Sequence, residues 1–313
     1  MTAYIVRRLF ATIPVMAVVA VFVFLLLRLA PGDPAALIAG DDATSADIEA
    51  IRMRLGLNLP IWTQFVIWLS NIAQGDLGVS IFSNLPVTTL IAQRLEPTLM
   101  LMVATLFVAV TLAIPLGVCA AWKARTWIDR LAMVISVLGF AVPVFLAGYV
   151  LIYVFSIQLR WLPVQGYTSL DNGLWACIRS LILPAIALGT TYMALIARIT
   201  RASMLDVLSQ DYIRTANSKG LATKRVLLLH ALKNAAVPIV TVIGIGIALL
   251  ISGVVITETV FNIPGLGRLT VDAVLKRDYP IVQGLILVFA ATKVLINLMI
   301  DISYAFLDPR IRY

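Results

Sequence analysis

Five strongly apolar stretches of this chain carry no charged side chain: residues 9–27, 97–122, 131–159, 180–197 and 234–257. A sixth, residues 279–306, is interrupted only by Lys293 and Asp301. A helix needs about 20 apolar residues to cross roughly 30 Å of hydrocarbon, and these runs are of that order. Within hydrocarbon each backbone N–H and C=O must find its partner inside the protein, so apolar runs of this length fold as helices. Composition agrees, with 61% hydrophobic and 13% charged residues. Soluble domains carry about 45–50% and about 25%, and one larger core cannot absorb the surplus, because single cores stop growing near ~250–300 residues. The same numbers exclude a disordered chain, and two cysteines, Cys119 and Cys177, are too few for a disulfide scaffold. The expected fold class is all-α integral membrane, with six transmembrane helices.

The first run follows Arg7-Arg8, as a signal peptide would. Its apolar part exceeds the about 7–15 residues of a signal core, and Arg28-Leu29-Ala30 offers no small-x-small cleavage site, so it reads as a retained anchor. Six spans place both termini on one side. With the N-terminus inside, the inner segments hold 14 basic residues and four acids, the outer segments eight basic and eleven acidic. Lys and Arg collect in cytoplasmic loops, so the expected topology is N-in/C-in. Cys119 then lies toward the inner face and Cys177 toward the outer, too far apart for a bridge. The net charge of +8 is thus polarised toward the cytoplasm and needs no nucleic acid to explain it.

Between the first two spans, residues 31–96 form an extracytoplasmic insertion. It opens on the turn-rich Pro31-Gly32-Asp33-Pro34. Ser45 is placed to cap a helix that Gly56 ends, and Pro60 to open another reaching Gln74. Gly75-Asp76-Leu77-Gly78 is a turn signal. Seven acids against three bases suit an outer surface that supports the bundle or receives a partner. Within the spans, Ala109, Ala113 and Gly117 recur at four-residue spacing, which lets helices approach closely in lipid. Lys293, Asn297 and Asp301, also four apart, form a polar stripe on the last helix. An intramembrane charge costs about 2.5–3.5 kcal/mol at the helix centre on insertion scales. This face is either a seam against another helix or subunit, or part of a translocation path.

The cytoplasmic loop 202–236 is the most informative segment. Asp211 is placed to start a short helix and Gly220 to end it, since glycine readily takes the left-handed position just past a helix. Thr223 is placed to cap a second helix carrying Val226, Leu227, Leu229 and His230 toward the fifth span. The expected form is helix, glycine turn, helix at the membrane surface. It serves either as a connector holding anionic lipid headgroups or as a rigid lever on which a soluble partner pushes. No phosphate-cradling Gly-x-x-x-x-Gly-Lys-Ser/Thr run occurs. His230 is the only histidine, which removes the usual metal and nucleophile constellations. No catalytic residues, bound cofactor or metal are expected.

The same loop carries a family resemblance. Tyr212-Ile213-Arg214-Thr215-Ala216, Lys219-Gly220-Leu221, Val226, His230, Asn234-Ala235 and Pro238 closely resemble the cytoplasmic loop motif of peptide-type ABC importer permeases, the dipeptide/oligopeptide/nickel branch and its first permease in particular. Arg214-Thr215-Ala216 stands where importer permeases generally read Glu-Ala-Ala. The likeness includes Leu55-Gly56-Leu57-Asn58-Leu59-Pro60, with Asn58 where the family often has Asp, and Gly75-Asp76-Leu77-Gly78 with Ser80. It continues in Glu258-Thr259-Val260-Phe261-Asn262-Ile263-Pro264-Gly265-Leu266-Gly267, then Asn297, Asp301, Tyr304 and Asp308-Pro309-Arg310-Ile311-Arg312-Tyr313.

The resemblance implies a type I importer permease fold, with N-terminal helix 1–30, permease core 97–306 and tail 307–313. It implies a bacterial cytoplasmic (inner) membrane location and a multi-pass chain. The implied partners are a second homologous permease, two cytoplasmic ATPase subunits that bind ATP and Mg, an extracytoplasmic solute-binding protein and membrane lipid. The helix before Gly220 would be the coupling helix, with Tyr212, Arg214, Thr215, Ala216, Lys219, Gly220 and His230 carrying contact and turn. Two other classes compete: a secondary transporter, which would show an internal repeat and broken helices with mid-membrane polar residues, and a non-transporting scaffold.

Overall fold

The computed structural model describes residues 2–29, 35–36, 44–54 and 56–307. The expectations on Pro31-Gly32-Asp33-Pro34, on Leu55 and on residues 308–313 lie outside these. Among the described residues all extended secondary structure is helical, apart from one isolated bridge between Val79 and Pro86. The helices are α1 (Thr2–Leu29), α2 (Ser45–Arg54), α3 (Ile61–Ala73), α4 (Val87–Trp122) and α5 (Trp127–Ala141). Then come α6 (Val144–Leu151), continued by a π-helix over Ile152–Gln158, and α7 (Leu174–Leu208). The chain goes on with α8 (Asp211–Ser218) and α9 (Thr223–Arg225), which runs into a second π-helix over Val226–Leu232. It closes with α10 (Ala236–Val260), α11 (Leu266–Lys276) and α12 (Tyr279–Leu307).

Among the described residues three helices, α4, α7 and α12, are long and apolar enough to cross a membrane unaided, and up to five spans result if each of two bent pairs counts as one. The first bent pair shows that the run 131–159 is not one continuous helix. There α5 ends at Ala141, α6 begins at Val144, and the two halves meet at 100°. Pro143 is the cause: it lacks an N–H for the helix and drives the residue before it out of the α region. Val142 accordingly sits at φ −80, ψ 122. The second pair, Thr223–Leu232 with Ala236–Ile251, bends by 65°. The run 97–122 also proves to be only part of its helix, which starts ten residues earlier at Val87, with Pro97 in its interior. Absence of charge marks hydrocarbon, not helix, so α4 extends beyond its apolar window.

The chain divides into two compact units: Leu95–Arg268 with the end of α12 from Leu295, and Thr2–Arg94 with Leu269–Val294. In the first unit α7 is the axis, with 72% of its apolar window buried against 22% for α4. It packs on α5, α6 and α10. Close approach depends on missing side-chain atoms, as expected where lipid tails give helices no hydrophobic reason to associate. A Cβ on Gly117 would lie 2.6 Å from the Thr200 Cβ and 2.7 Å from the Ala197 carbonyl. Ala109 and Ala113, the other members of that stripe, are fully buried against Met193, Ile196 and Ala197. The two cysteines are unpaired; Cys177 is buried and Cys119 exposed.

In the second unit, Phe24 of α1 packs edge-on against Phe65 of α3, with ring centroids 5.0 Å apart. Gln283 of α12 donates to the Val23 carbonyl at 2.9 Å. One capping detail differs from expectation. Ser45 is the first helical residue of α2, the Thr44 carbonyl accepting the Ile48 N–H at 3.1 Å. Gly56 does end α2's approach at φ +66, and Pro60 does precede α3.

The α7 contacts make a graded prediction. Gly117→Leu forces α4 away from α7 and should sharply lower the folded yield and detergent melting temperature. Gly246→Ala, whose Cβ would stand 3.6 Å from the Tyr192 ring, should melt within a few degrees of the parent. Equal behaviour of the two would remove α7 from the centre of this account.

Candidate functional site

The coupling segment takes its form from an apolar anchor. In α8, Ile213 and Ala216 are buried in a cluster with Val118 and Ala121 from α4, Met204 from α7, and Val226, Leu227 and Ala231 from the π-helix. Spaced three apart they share one helix face. The opposite face leaves Tyr212, Arg214, Thr215 and Lys219 exposed. Arg214 lies 3.5 Å from Asp211, an exposed i,i+3 pair that adds little stability.

The end of α8 is a Schellman turn. Gly220 at φ +74 donates to the Asn217 carbonyl (2.9 Å), and Leu221 to the Ala216 carbonyl (3.4 Å). A Cβ on Gly220 would meet nothing within 4 Å, so conformation alone favours glycine here. Thr223, expected as a cap, is instead the first helical residue; Ala222, in an extended conformation, precedes it without a side-chain cap. His230 is half-buried in the π-helix, and its carbonyl, not its ring, takes the recorded bond, from the Asn234 amide at 2.5 Å. That bond serves a carbonyl at the 65° bend, where the helix ladder is interrupted.

Next to this anchor sits an ion pair that the sequence reading missed. Arg201 of α7 grips Asp129 of α5 with two bonds, Nε to Oδ1 at 2.5 Å and Nη2 to Oδ2 at 2.7 Å. The Arg125 backbone N–H adds a third at 3.0 Å, and Asp129 is only 5% exposed. Arg201 is one of the 14 basic residues of the inner segments, but its charge is committed within the bundle.

Two acids counted toward an acidic outer surface are likewise buried. Glu258 is 0% exposed and accepts from the Thr98 hydroxyl at 2.6 Å and the Arg268 N–H at 2.9 Å. Thr98 in turn accepts the Leu266 N–H at 2.8 Å, so the two side chains together satisfy the first turn of α11. Gly265 is required beside them, because a Cβ there would collide with the Glu258 carboxylate. Asp278 is 2% exposed and accepts from the Ser80 hydroxyl at 2.6 Å. These contacts explain several quoted motif pieces as framework: Ser80 after Gly75-Asp76-Leu77-Gly78, and the Glu258–Gly267 run.

Glu96 of α4 accepts from three groups in the loop before α7: the Tyr167 hydroxyl (2.7 Å), the Ser169 hydroxyl (2.9 Å) and the Leu170 N–H (3.0 Å). Burial, and then the bond to Glu96, push the Tyr167 phenol well above the usual tyrosine range, so it stays a donor. Beside it lies a cavity of about 500 Å³ lined by Leu162, Gln165, Tyr167, Trp175, Arg179 and Ser180. On α12, Lys293 and Asn297 are exposed and Asp301 is half-buried. Among the described residues no three His, Cys, Asp or Glu side chains gather as metal ligands.

A helical, membrane-crossing chain with a packed helix–glycine–helix loop has the architecture of a transporter's membrane component. Residues 113–313 match the family model described as "Binding-protein-dependent transport system inner membrane component". Residues 1–102 match "Binding-prot-dependent transport system membrane comp, N-term". The chain is 55% identical over 313 residues, the whole of both proteins, to "Probable peptide ABC transporter permease protein y4tP" of Sinorhizobium fredii (strain NBRC 101917 / NGR234). It is 46% identical over 314 residues, again all of both, to "Glutathione transport system permease protein GsiC" of Escherichia coli (strain K12). A solved structure described as "Crystal structure of an amino acid ABC transporter with histidines" overlaps at TM-score 0.49 and 17% identity, covering 69% of this chain and 92% of that one. The chain belongs to the family of binding-protein-dependent transport system inner membrane components, as a peptide-type ABC importer permease. It is the non-catalytic membrane subunit of such an importer, and ATP hydrolysis belongs to a separate subunit.

The ion pair gives the test of this local framework. Asp129→Asn leaves a guanidinium without its carboxylate, and removing one partner of a buried pair costs about 3–5 kcal/mol. Asp129→Asn combined with Arg201→Met should regain much of the loss in a detergent melting assay. A double variant as unstable as the sum of the single ones would show that the pair does not act as a unit.

Proposed function

We propose that this chain, with a second homologous permease, forms the path by which an ATP-driven importer moves peptides or similar small solutes across the bacterial inner membrane. A peptide-sized cargo is supported by the printed roles of the two relatives, a probable peptide permease and a glutathione permease. In this reading the chain has six spans with both termini in the cytoplasm. The extracytoplasmic binding protein delivers solute at the outer face, and two ATPase subunits bind ATP and Mg below. The permease itself takes no cofactor.

One observation carries the coupling assignment. α8 is anchored on one face, through Ile213 and Ala216, to the helices that form the bundle, and exposes Tyr212, Arg214, Thr215 and Lys219 on the other. A lever must be stiff toward what it moves and open toward what pushes it. Lys219 and Gly220 set the exit of α8, and the π-helix with His230 passes its displacement to α10. ATP-driven closure of the ATPases would press the two coupling helices together and open the cavity outward; hydrolysis would reset it. The stripe Lys293, Asn297 and Asp301 lies on the helix whose apolar window is only 11% buried within this chain. That supports a seam covered by the second permease, or a wall of the path.

Gly220 tests the reading. A β-branched residue in the left-handed region is strained by about 1–2 kcal/mol, whereas asparagine visits it readily. Gly220→Val should abolish binding-protein-stimulated ATP hydrolysis and uptake while the assembled complex still purifies, and Gly220→Asn should keep both. Normal coupled uptake in Gly220→Val would overturn the coupling role. The solute class is tested separately: mass spectrometry of ligand co-purified with the binding protein should find short peptides or peptide-like thiols, and a sugar or free metal ion would contradict it.

A further inference from the structure

We infer that α3 lies in the outer membrane interface, with one face in lipid, and is not part of a solvated cap. The segment between Arg54 and Asp76 contains no charged residue. Within it, the 13-residue α3 is too short to span but is an apolar helix in its own right. Apolar segments of about 10–14 residues are buried core helices or interfacial ones, and α3 has no fully buried residue.

Most of its side chains sort into three sectors, not the two of an ordinary surface helix; Ile61 is exposed at the first turn, and Ile67 is exposed among the polar residues. Phe65, Trp68 and Ile72 are half-buried, with Phe65 and Trp68 packed on Phe24 of α1 at 5.0 and 5.6 Å. Thr63, Ser70 and Asn71 form a polar, exposed sector. Between these lie Trp62, Val66, Leu69 and Ala73, spaced four, three and four apart and so aligned along one line of the helix. All four are exposed, Trp62 at 72%. A helix that touches protein, lipid and water at once needs this threefold division.

Continuity identifies the occupant of the third sector as lipid. On α1, Val21, Phe22 and Leu25 adjoin the Phe24 contact and are exposed. They belong to the outer, apolar surface of a helix in a membrane subunit, so lipid already covers the ground on which α3 sits. A protein-docking face would carry a polar or charged rim, and this segment offers no charge at all. A tryptophan at the edge of such a line fits the headgroup level, where tryptophan is enriched. The inference rests on α1 being a membrane helix and is independent of the solute transported.

The test uses the full chain in its complex, reconstituted in phosphatidylethanolamine–phosphatidylglycerol vesicles. Single cysteines are introduced by Val66→Cys, Ala73→Cys and Thr63→Cys, labelled with bimane, and read against the parent, which carries Cys119 and Cys177. With an apolar face buried about 5–10 Å into the headgroup and acyl boundary, labels at 66 and 73 should lose emission about twofold or more in chain-brominated lipid. The label at 63 should respond to aqueous iodide and not to bromine. Ala73→Cys keeps the test open if Val66→Cys folds poorly. Labels at 66 and 73 quenched by iodide would place the face in water. Labels shielded from both quenchers would place it under a protein partner. Either result overturns the inference.

Discussion

The close packing of α7 is the constraint on which the remaining structure depends. Hydrocarbon gives two apolar helices no reason to associate beyond contact itself, so the bundle holds only where backbones come near enough for many weak contacts. Gly117 against Thr200 and Ala197 provides that approach, and Gly189 does the same beside Val108. The polar contacts respect the same geometry. Arg201 meets Asp129 only because α7 and α5 are already in register, and the pair then fixes the start of α5 at the end of the bundle where α8 begins.

From α7 the chain reaches the coupling segment in two residues, Ser209 and Gln210. Met204, fully buried on α7, packs in the same cluster as Ile213 and Ala216 of α8. The lever is therefore an extension of the axis, not a loop hung from it. The bends serve this arrangement. The π-helix at Val226–Leu232 and the bend before α10 let the chain turn from the surface into the membrane while Asn234 satisfies a carbonyl of the interrupted ladder.

Much of this was legible in the sequence wherever the signal was local. Charge-free runs marked the apolar segments, and Gly220 announced the turn after α8 because only its own conformation is at stake. Pro143 was visible as a residue, but a hydropathy run is blind to direction, so the 100° break was not. The buried acids were hidden for a different reason. Thr98 and Glu258 are 160 residues apart, Ser80 and Asp278 198, and a count of charges by side of the membrane treats a buried carboxylate as a surface one. The helix that is α3 was marked by Pro60 and Gln74, but the acids on either side of the charge-free stretch 55–75 made the whole insertion read as an outer surface. The three-sector pattern of α3 emerges only once Phe65 and Trp68 are seen against α1.

The central claim is that α8 moves as one body with α7. Spin labels at Thr215→Cys on α8 and Arg198→Cys on α7 of the same chain, in the complete importer, measure it by electron–electron resonance. The distance distribution should be the same width and centre in the nucleotide-free and ATP-trapped states, while solute transport proceeds. A shift or broadening on ATP trapping would mean that α8 swings on a hinge at Ser209 and Gln210, and that force reaches the bundle by another route.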